Sequence, residues 1–231
     1  MKKELEKRIY SSLIILPITL FFIIQGSVLL LVFLSLFFLA TCYEWFKMNK
    51  KNDLVKLFGT IFLFFSFYSA FNIREKSGID FFIFIILVCI FTDIGGYVFG
   101  KIFKGPRLTS ISPKKTYAGV IGGFLLSLVA GITYIKFISS EFLATDYSRL
   151  LFGIFLISLI SQIGDLIISY FKRKAKLKDT GKILPGHGGL LDRIDGMIFV
   201  FPTFFMILKI SIWKKKLLFL DQQDQLENPP S

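Results

Sequence analysis

Three aspartates stand out among the 231 residues: Asp165, and then Asp192 and Asp195 on either side of Arg193. Asp165 follows the apolar run LLFGIFLISLISQIG, and an ionised side chain within a span is costly, so such groups usually face a bundle interior or water and carry function. Ser158, Ser161, Asp165, Ser169 and Lys172 advance by 3, 4, 4 and 3 residues, which sets them in one polar stripe along an apolar helix. Asp192 and Asp195, spaced i, i+3, share a helical face at the start of the last apolar run. Structural readings stand beside these: interhelical hydrogen bonding for the stripe, and helix N-terminal capping for the aspartate pair. Three carboxylates near one membrane boundary offer hard oxygen ligands of the kind Mg²⁺ takes together with substrate phosphates. Two such ions would clamp the attacking and leaving oxygens of a phosphoryl-type displacement.

Between the carboxylates lies a loop rich in charge and glycine. Lys172, Arg173, Lys174, Lys176, Lys178 and Lys182 fall within eleven residues, a run that alone would serve as a solvated juxtamembrane anchor. It continues into Leu184-Pro185-Gly186-His187-Gly188-Gly189, which an anchor has no reason to contain. Gly186, Gly188 and Gly189 permit positive φ and close approach of backbone N–H groups to an oxyanion. His187, the single histidine of the chain, can donate to a phosphate or shuttle a proton near neutral pH.

A second constellation precedes it. Thr92-Asp93 lies inside an apolar segment, followed by Gly95, Gly96 and Gly100. The segment Ser110–Thr116 then reads as a helix start, with Ser112 as N-cap and Pro113 at the first helical position. Lys114 and Lys115 beside such a start make an anion site. Gly119 and Gly123 have the spacing that lets two helices pack closely. Glu44, before Trp45 at the end of an apolar run, is either an interfacial group or a distant contributor to the site.

The elements that must position these residues are membrane spans. Apolar residues make up 54% of the chain, mean hydropathy is +0.66, and there are 29 phenylalanines. A soluble domain cannot hide that much apolar surface, whereas lipid solvates it. Seven segments are predicted to cross: 9–24, 27–46, 54–71, 79–100, 117–138, 149–172 and 194–212, each near the ~20 apolar residues that ~30 Å of hydrocarbon requires. The first is short, carries Pro17, and reads as a kinked span or half of a tight hairpin. It is expected to be a retained span and not a cleaved leader, because Gln25-Gly26-Ser27 is a poor cleavage site and a second apolar run follows at once. Cys42 and Cys89 fall inside apolar segments and read as packing residues.

With the N-terminus inside, segments 1–8, 47–56, 101–116 and 172–193 hold 4, 4, 5 and 7 basic residues, 20 of the chain's 28. That asymmetry places both basic loops in the cytoplasm; Lys209 and Lys214–Lys216 run against it. The net charge of +12 is mostly anchoring on anionic lipid. The expected organisation is a single transmembrane catalytic domain over 1–212, an all-α polytopic bundle of about seven spans with its active site at the cytoplasmic membrane interface, and a polar tail over 213–231.

On these residues the chain resembles the phosphatidate cytidylyltransferases, or CDP-diacylglycerol synthases. The match runs through Ser169, Lys172-Arg173, Lys178-Asp179, Gly181, Leu184 to Gly189, Asp192-Arg193 and Asp195, and is joined by Thr92-Asp93, Ile111–Thr116 and Gly164-Asp165-Leu166. It covers roughly the second half of the chain. Two positions depart from the expected pattern: Ala118 and Ile168 stand where acidic residues are expected.

The resemblance implies transfer of CMP from CTP to phosphatidic acid, with release of pyrophosphate. It implies catalytic roles for Asp165, Asp192, Asp195, His187 and Lys178, and metal binding by Asp165 and Asp192. Ser169, Lys172, Arg173, Gly188, Gly189, Arg193, Lys114 and Lys115 would bind substrate. The implied cofactor is Mg²⁺, with a monovalent cation left open. The implied partners are CTP, phosphatidic acid and the lipid bilayer, without nucleic acid, and a homodimer is left open. The implied location is a bacterial-type inner membrane. Two rivals remain: a CTP-dependent transferase for another lipid phosphate, and an ion-coupled transporter using Asp93 and Asp165 as relays. The second predicts inverted repeats, which the sequence does not display.

Overall fold

A computed structural model describes residues 2–109, 111–137, 147–184, 186 and 188–211, with side chains from Tyr10 onward except Ser12. The predicted tail 213–231 lies outside the described residues, as do Ser110, Pro185 and His187.

Every described element longer than an isolated bridge is a helix. The order is α1 (Lys2–Gln25), α2 (Ser27–Met48), α3 (Asp53–Ser77), α4 (Ile79–Phe103), α5 (Tyr117–Phe137), α6 (Tyr147–Lys174), the single turn α7 (Leu191–Ile194) and α8 (Met197–Ser211). Among the described residues, helices α2 to α6 are the 5 that are long and apolar enough to cross a bilayer. Shorter apolar helices at Leu13–Gln25 and Met197–Ser211 occupy the places of the predicted first and seventh spans. Pro17 sits within α1 without ending it.

The connections explain the antiparallel order. Gly26 (φ 66°) alone joins α1 to α2, and Gly78 (φ 89°) joins α3 to α4. Only glycine adopts such angles without strain, so each turn reverses the chain in one residue. Asn52 caps α3 by accepting from the Val55 N–H.

At this end of the bundle, Arg74 donates from Nε to the Ile23 carbonyl (2.7 Å) and from Nη2 to that of Ile24 (3.0 Å). Glu75 accepts from the Ser27 N–H at 2.9 Å. One turn of α3 thus satisfies the carbonyls that end α1 and the amide that starts α2, groups lipid could not hydrogen-bond.

Two clusters form the interior. One joins Leu30, Ile73, Ile85, Val88, Ile154, Ile157 and Val200. The other, towards the end that carries the charged loops, joins Trp45, Leu63, Ile168, Leu191 and Ile198. Ile168 is thereby explained: it packs in this cluster, where an acidic side chain would be buried without water. Helices α4 and α5 make the closest packing. A Cβ on Gly95 would strike the Gly122 carbonyl, one on Gly119 would strike that of Gly96, and one on Gly123 would press on that of Thr92. The glycines let the two backbones touch, as their spacing predicted.

The start of α5 is corrected. Ser112 is not its N-cap: Ser112 to Lys115 close a turn, with the Lys115 N–H donating to the Ser112 carbonyl at 3.0 Å. The chain then bridges Thr116 to Arg107. The helix begins at Tyr117, and Thr116 caps it by accepting from the Gly119 N–H at 3.1 Å. The Leu108 N–H donates to the Lys115 carbonyl at 2.8 Å beside this bridge, a constraint that local capping preferences cannot register.

Candidate active site

The polar stripe on α6 faces the bundle interior. Ser158, Ser161, Ser169 and Lys172 are all buried. Near the middle of α6 Thr92 donates to Ser158 (2.9 Å) and Gln162 donates to Ser158 (3.3 Å). Towards the charged end the same stripe carries Asp165, whose Oδ1 accepts from Ser169 at 3.2 Å. Its other oxygen lies 2.6 Å from the Lys115 ammonium. Lys115 therefore reaches the carboxylate from the segment ahead of α5, while Lys114 is exposed.

Two turns beyond Asp165 on α6, the Lys172 ammonium lies 2.8 Å from Asp192 Oδ1 and 3.9 Å from Asp195 Oδ2. The Asp195 carboxyl is within hydrogen-bonding reach of Asp165. Asp93, from α4, is close enough to act electrostatically on both and to feel Lys115 and Arg193. Its side chain is solvent-accessible although protein surrounds most of it, as expected of a group facing an open cleft. Aspartates from α4, α6 and the α7–α8 junction thus share two lysines in one cluster. Carboxylates this close repel strongly in a poorly solvated site, and the ammonium groups offset that repulsion.

The loop from Lys178 to Leu191 is folded onto this cluster by carboxylates. Asp192 Oδ2 accepts from the Thr180 N–H (2.8 Å) and the Gly189 N–H (3.2 Å). Between them Leu184 and Gly188 exchange two backbone hydrogen bonds (3.0 and 3.2 Å), closing a tight turn. Gly186 (φ 77°) and Gly188 (φ 87°) supply the positive angles that turn needs. The amides of Gly188 and Gly189, expected to face an oxyanion, are here spent on the Leu184 carbonyl and on Asp192. His187 lies outside the described residues.

Glu44 is the residue whose role the sequence left open. It is fully buried at the end of α2. Its Oε1 accepts from the Leu190 N–H (3.0 Å), and its Oε2 from the Leu191 N–H (2.8 Å) and the Thr180 hydroxyl (2.9 Å). The one available signal was a carboxylate flanked by Trp45 in an apolar helix. Nothing in the pattern marked Thr180, which is also buried.

The remaining predicted residues lie at the rim. Lys178 and Arg173 are exposed, and Arg173 donates to the Leu177 carbonyl at 3.1 Å. Arg193 borders both the aspartate cluster and a cavity of about 740 Å³ between α1, α2, α3, α4 and α8. That cavity is lined by apolar side chains such as Ile23, Leu30, Phe67, Phe82 and Phe201.

Asp192 and Asp195 do not open one continuous span as predicted. The helix stops after Ile194 and restarts at Met197. Asp195 accepts from the Gly196 N–H at 3.0 Å, and Gly196 packs against Ser161 with no room for a Cβ. The break lets both aspartates meet Lys172.

The donors fit Mg²⁺ in a particular way. Among the described residues no three of His, Cys, Asp or Glu gather into a ready metal cage. Mg²⁺ is commonly held by one or two carboxylates with substrate phosphates completing the shell, and so needs no such cage. Asp165 and Asp195, adjoining and oxygen-only, suit that mode. Asp192 has both oxygens engaged by Lys172, Thr180 and Gly189, and Asp165 has both engaged by Ser169 and Lys115, so each would exchange a present partner for the ion.

A family model described as the Cytidylyltransferase family matches residues 51–211, which include Asp93, Lys115, Asp165, Lys172, Asp192 and Asp195. The chain is 36% identical over 216 residues to a phosphatidate cytidylyltransferase of Rickettsia bellii, covering 89% of this chain and 91% of that protein. It is 37% identical over 155 residues to one of Helicobacter pylori, covering 67% of this chain and 57% of that protein. Against one of Staphylococcus haemolyticus, identity is 40% over 139 residues, covering 60% and 52%. The matched stretch is thus just over half the length of the Helicobacter and Staphylococcus relatives. A polytopic helical bundle whose matched segment contains every lysine–aspartate contact of the cluster belongs to the cytidylyltransferase family.

Proposed function

We propose that this protein transfers CMP from CTP to phosphatidic acid, giving CDP-diacylglycerol and pyrophosphate. The observation that carries the reading is the interlocked cluster of Asp165, Asp192 and Asp195 with Lys115 and Lys172, at the end of the bundle where the charged loops meet. Both reactants are polyanions, so their approach needs fixed positive charge in a site of low dielectric. One reactant is a lipid, and the apolar cavity beside Arg193 suits its chains while Arg193 suits its phosphate.

In the proposed reaction a phosphatidate oxygen attacks the α-phosphorus of CTP in line, and the bond from that phosphorus to the bridging β-oxygen breaks. The electron pair leaves with pyrophosphate. Lys115 and Lys172 orient and offset the phosphates, joined by Arg173, Lys178 and Arg193 from the rim and Lys114 beside Lys115. His187 orients the triphosphate or the departing pyrophosphate, and Gly188 and Gly189 would join it on releasing the Leu184 carbonyl and Asp192. Asp165 with Asp195 would hold Mg²⁺, which when bound neutralises phosphate charge and polarises the breaking bond; Asp192 joins them on releasing one of its present partners. The end of the bundle carrying these groups faces the cytoplasm of a bacterial-type inner membrane.

The test is to give the purified protein CTP, Mg²⁺ and phosphatidic acid in detergent. Pyrophosphate release is expected only when all three are present, and Asp165→Asn is expected to abolish it while leaving membrane insertion intact. Release with a polyprenyl phosphate but not with phosphatidate would replace the acceptor. Full activity in Asp165→Asn would sink the metal assignment.

A further inference from the structure

We infer that Glu44 is a positioning residue, holding the Thr180–Leu191 loop so that Asp192 meets Lys172; the inference rests on the functional reading above. Glu44 belongs to α2, 136 to 147 residues away in sequence from the groups it binds. It grips both ends of the loop at once. Thr180 enters it, and Leu190 and Leu191 leave it, so one side chain fixes the loop's width.

The loop is shaped around this carboxylate. A Cβ on Gly181 would collide with Glu44, and one on Gly189 would collide with Thr180 and Glu44. Leu191, fully buried, anchors the same end in the apolar interior beside Trp45. From this frame Asp192 takes the Thr180 and Gly189 amides on one oxygen and presents the other to Lys172 at 2.8 Å. Lys172 in turn reaches Asp195. Glu44 touches none of the expected reacting groups and acts through the loop.

An amide in place of the carboxylate gives a directed failure. Three donors converge on two oxygens, two of them main-chain N–H groups, one on each oxygen. Glutamine offers one acceptor, so in either orientation its NH₂ faces a backbone N–H. A buried donor without a partner is costly, and the loop relieves that cost by shifting.

The experiment uses the full chain in detergent, with Glu44→Gln and Asp192→Asn made singly and together. Two readouts are taken: the rate of CMP transfer and amide hydrogen exchange over the loop. Glu44→Gln is expected to lower kcat roughly ten- to a hundredfold, the scale of one lost buried charged hydrogen bond. Exchange at Thr180, Leu190 and Leu191 should speed up while α4 and α6 stay protected. The double variant should be no slower than Asp192→Asn alone, because both changes break one unit. Losses that multiply in the double variant would overturn the proposal, since a general folding defect behaves that way. Unchanged loop exchange in Glu44→Gln would overturn it too. If the wild type transfers no CMP, the functional reading fails, whereas the exchange comparison still decides whether Glu44 holds the loop.

Discussion

Lys114 and Lys115 are neighbours in the chain with different surroundings. Lys115 lies 2.6 Å from Asp165, whereas Lys114 is exposed. Lys115→Ala is expected to lower kcat by about 10²- to 10³-fold, the usual loss when a preorganised charge at a reacting group is removed. Lys114→Ala should cost less than about fivefold, as for an exposed charge. Steady-state rates of CMP transfer for the two variants check this, and equal losses would contradict it. The Asp165 stripe was legible because helical periodicity is written in the sequence. The choice of Lys115 over Lys114 was not, because it depends on the turn at Ser112 and the bridge from Thr116 to Arg107.

The α4–α5 pair decides where Asp93 and Lys115 stand relative to one another, and glycines set its spacing. Gly95→Ala is expected to destabilise the protein by about 1–3 kcal/mol, because its methyl group must displace the Gly122 backbone. Activity should fall with it as the helices separate. Gly153→Ala, on a face of α6 with no atom within 4 Å of the added carbon, should raise helix stability by about 0.5–1 kcal/mol. Thermal unfolding of both variants in detergent makes the comparison, and a stabilising Gly95→Ala would contradict the packing argument. The predicted spans correspond to the observed helices because apolar length is a local property. The cap at the start of α5 and the break between α7 and α8 were misjudged because contacts with Arg107, Lys172 and Ser161 set them.

At the scale of the molecule, the bundle has two chemically different ends. One is closed by Arg74 and Glu75 over the α1–α2 turn, and the other gathers Glu44, Lys115, Asp165 and the charged loop. The proposed orientation, which rests on charge asymmetry, turns the second end to the cytoplasm. Cys42 and Cys89 are both buried, so a cysteine introduced at the exposed Lys178 would be the reactive one. A membrane-impermeant thiol reagent is expected to label Lys178→Cys in inside-out vesicles and not in intact cells. Labelling in intact cells alone would invert the orientation.

The sequence by itself determined the class of molecule, the spans, and a candidate site of carboxylate and basic residues around Asp165. Apolar runs, helical spacing and charge counts are properties of neighbours in the chain, so they survive without a structure. Only the tertiary structure decided which lysine meets which aspartate, that Asp93 joins the cluster, and that Glu44 holds the loop. Those pairings link residues 20 to 147 positions apart. They follow from how helices α2, α4, α5 and α6 pack at one end of the bundle, which local pattern does not specify.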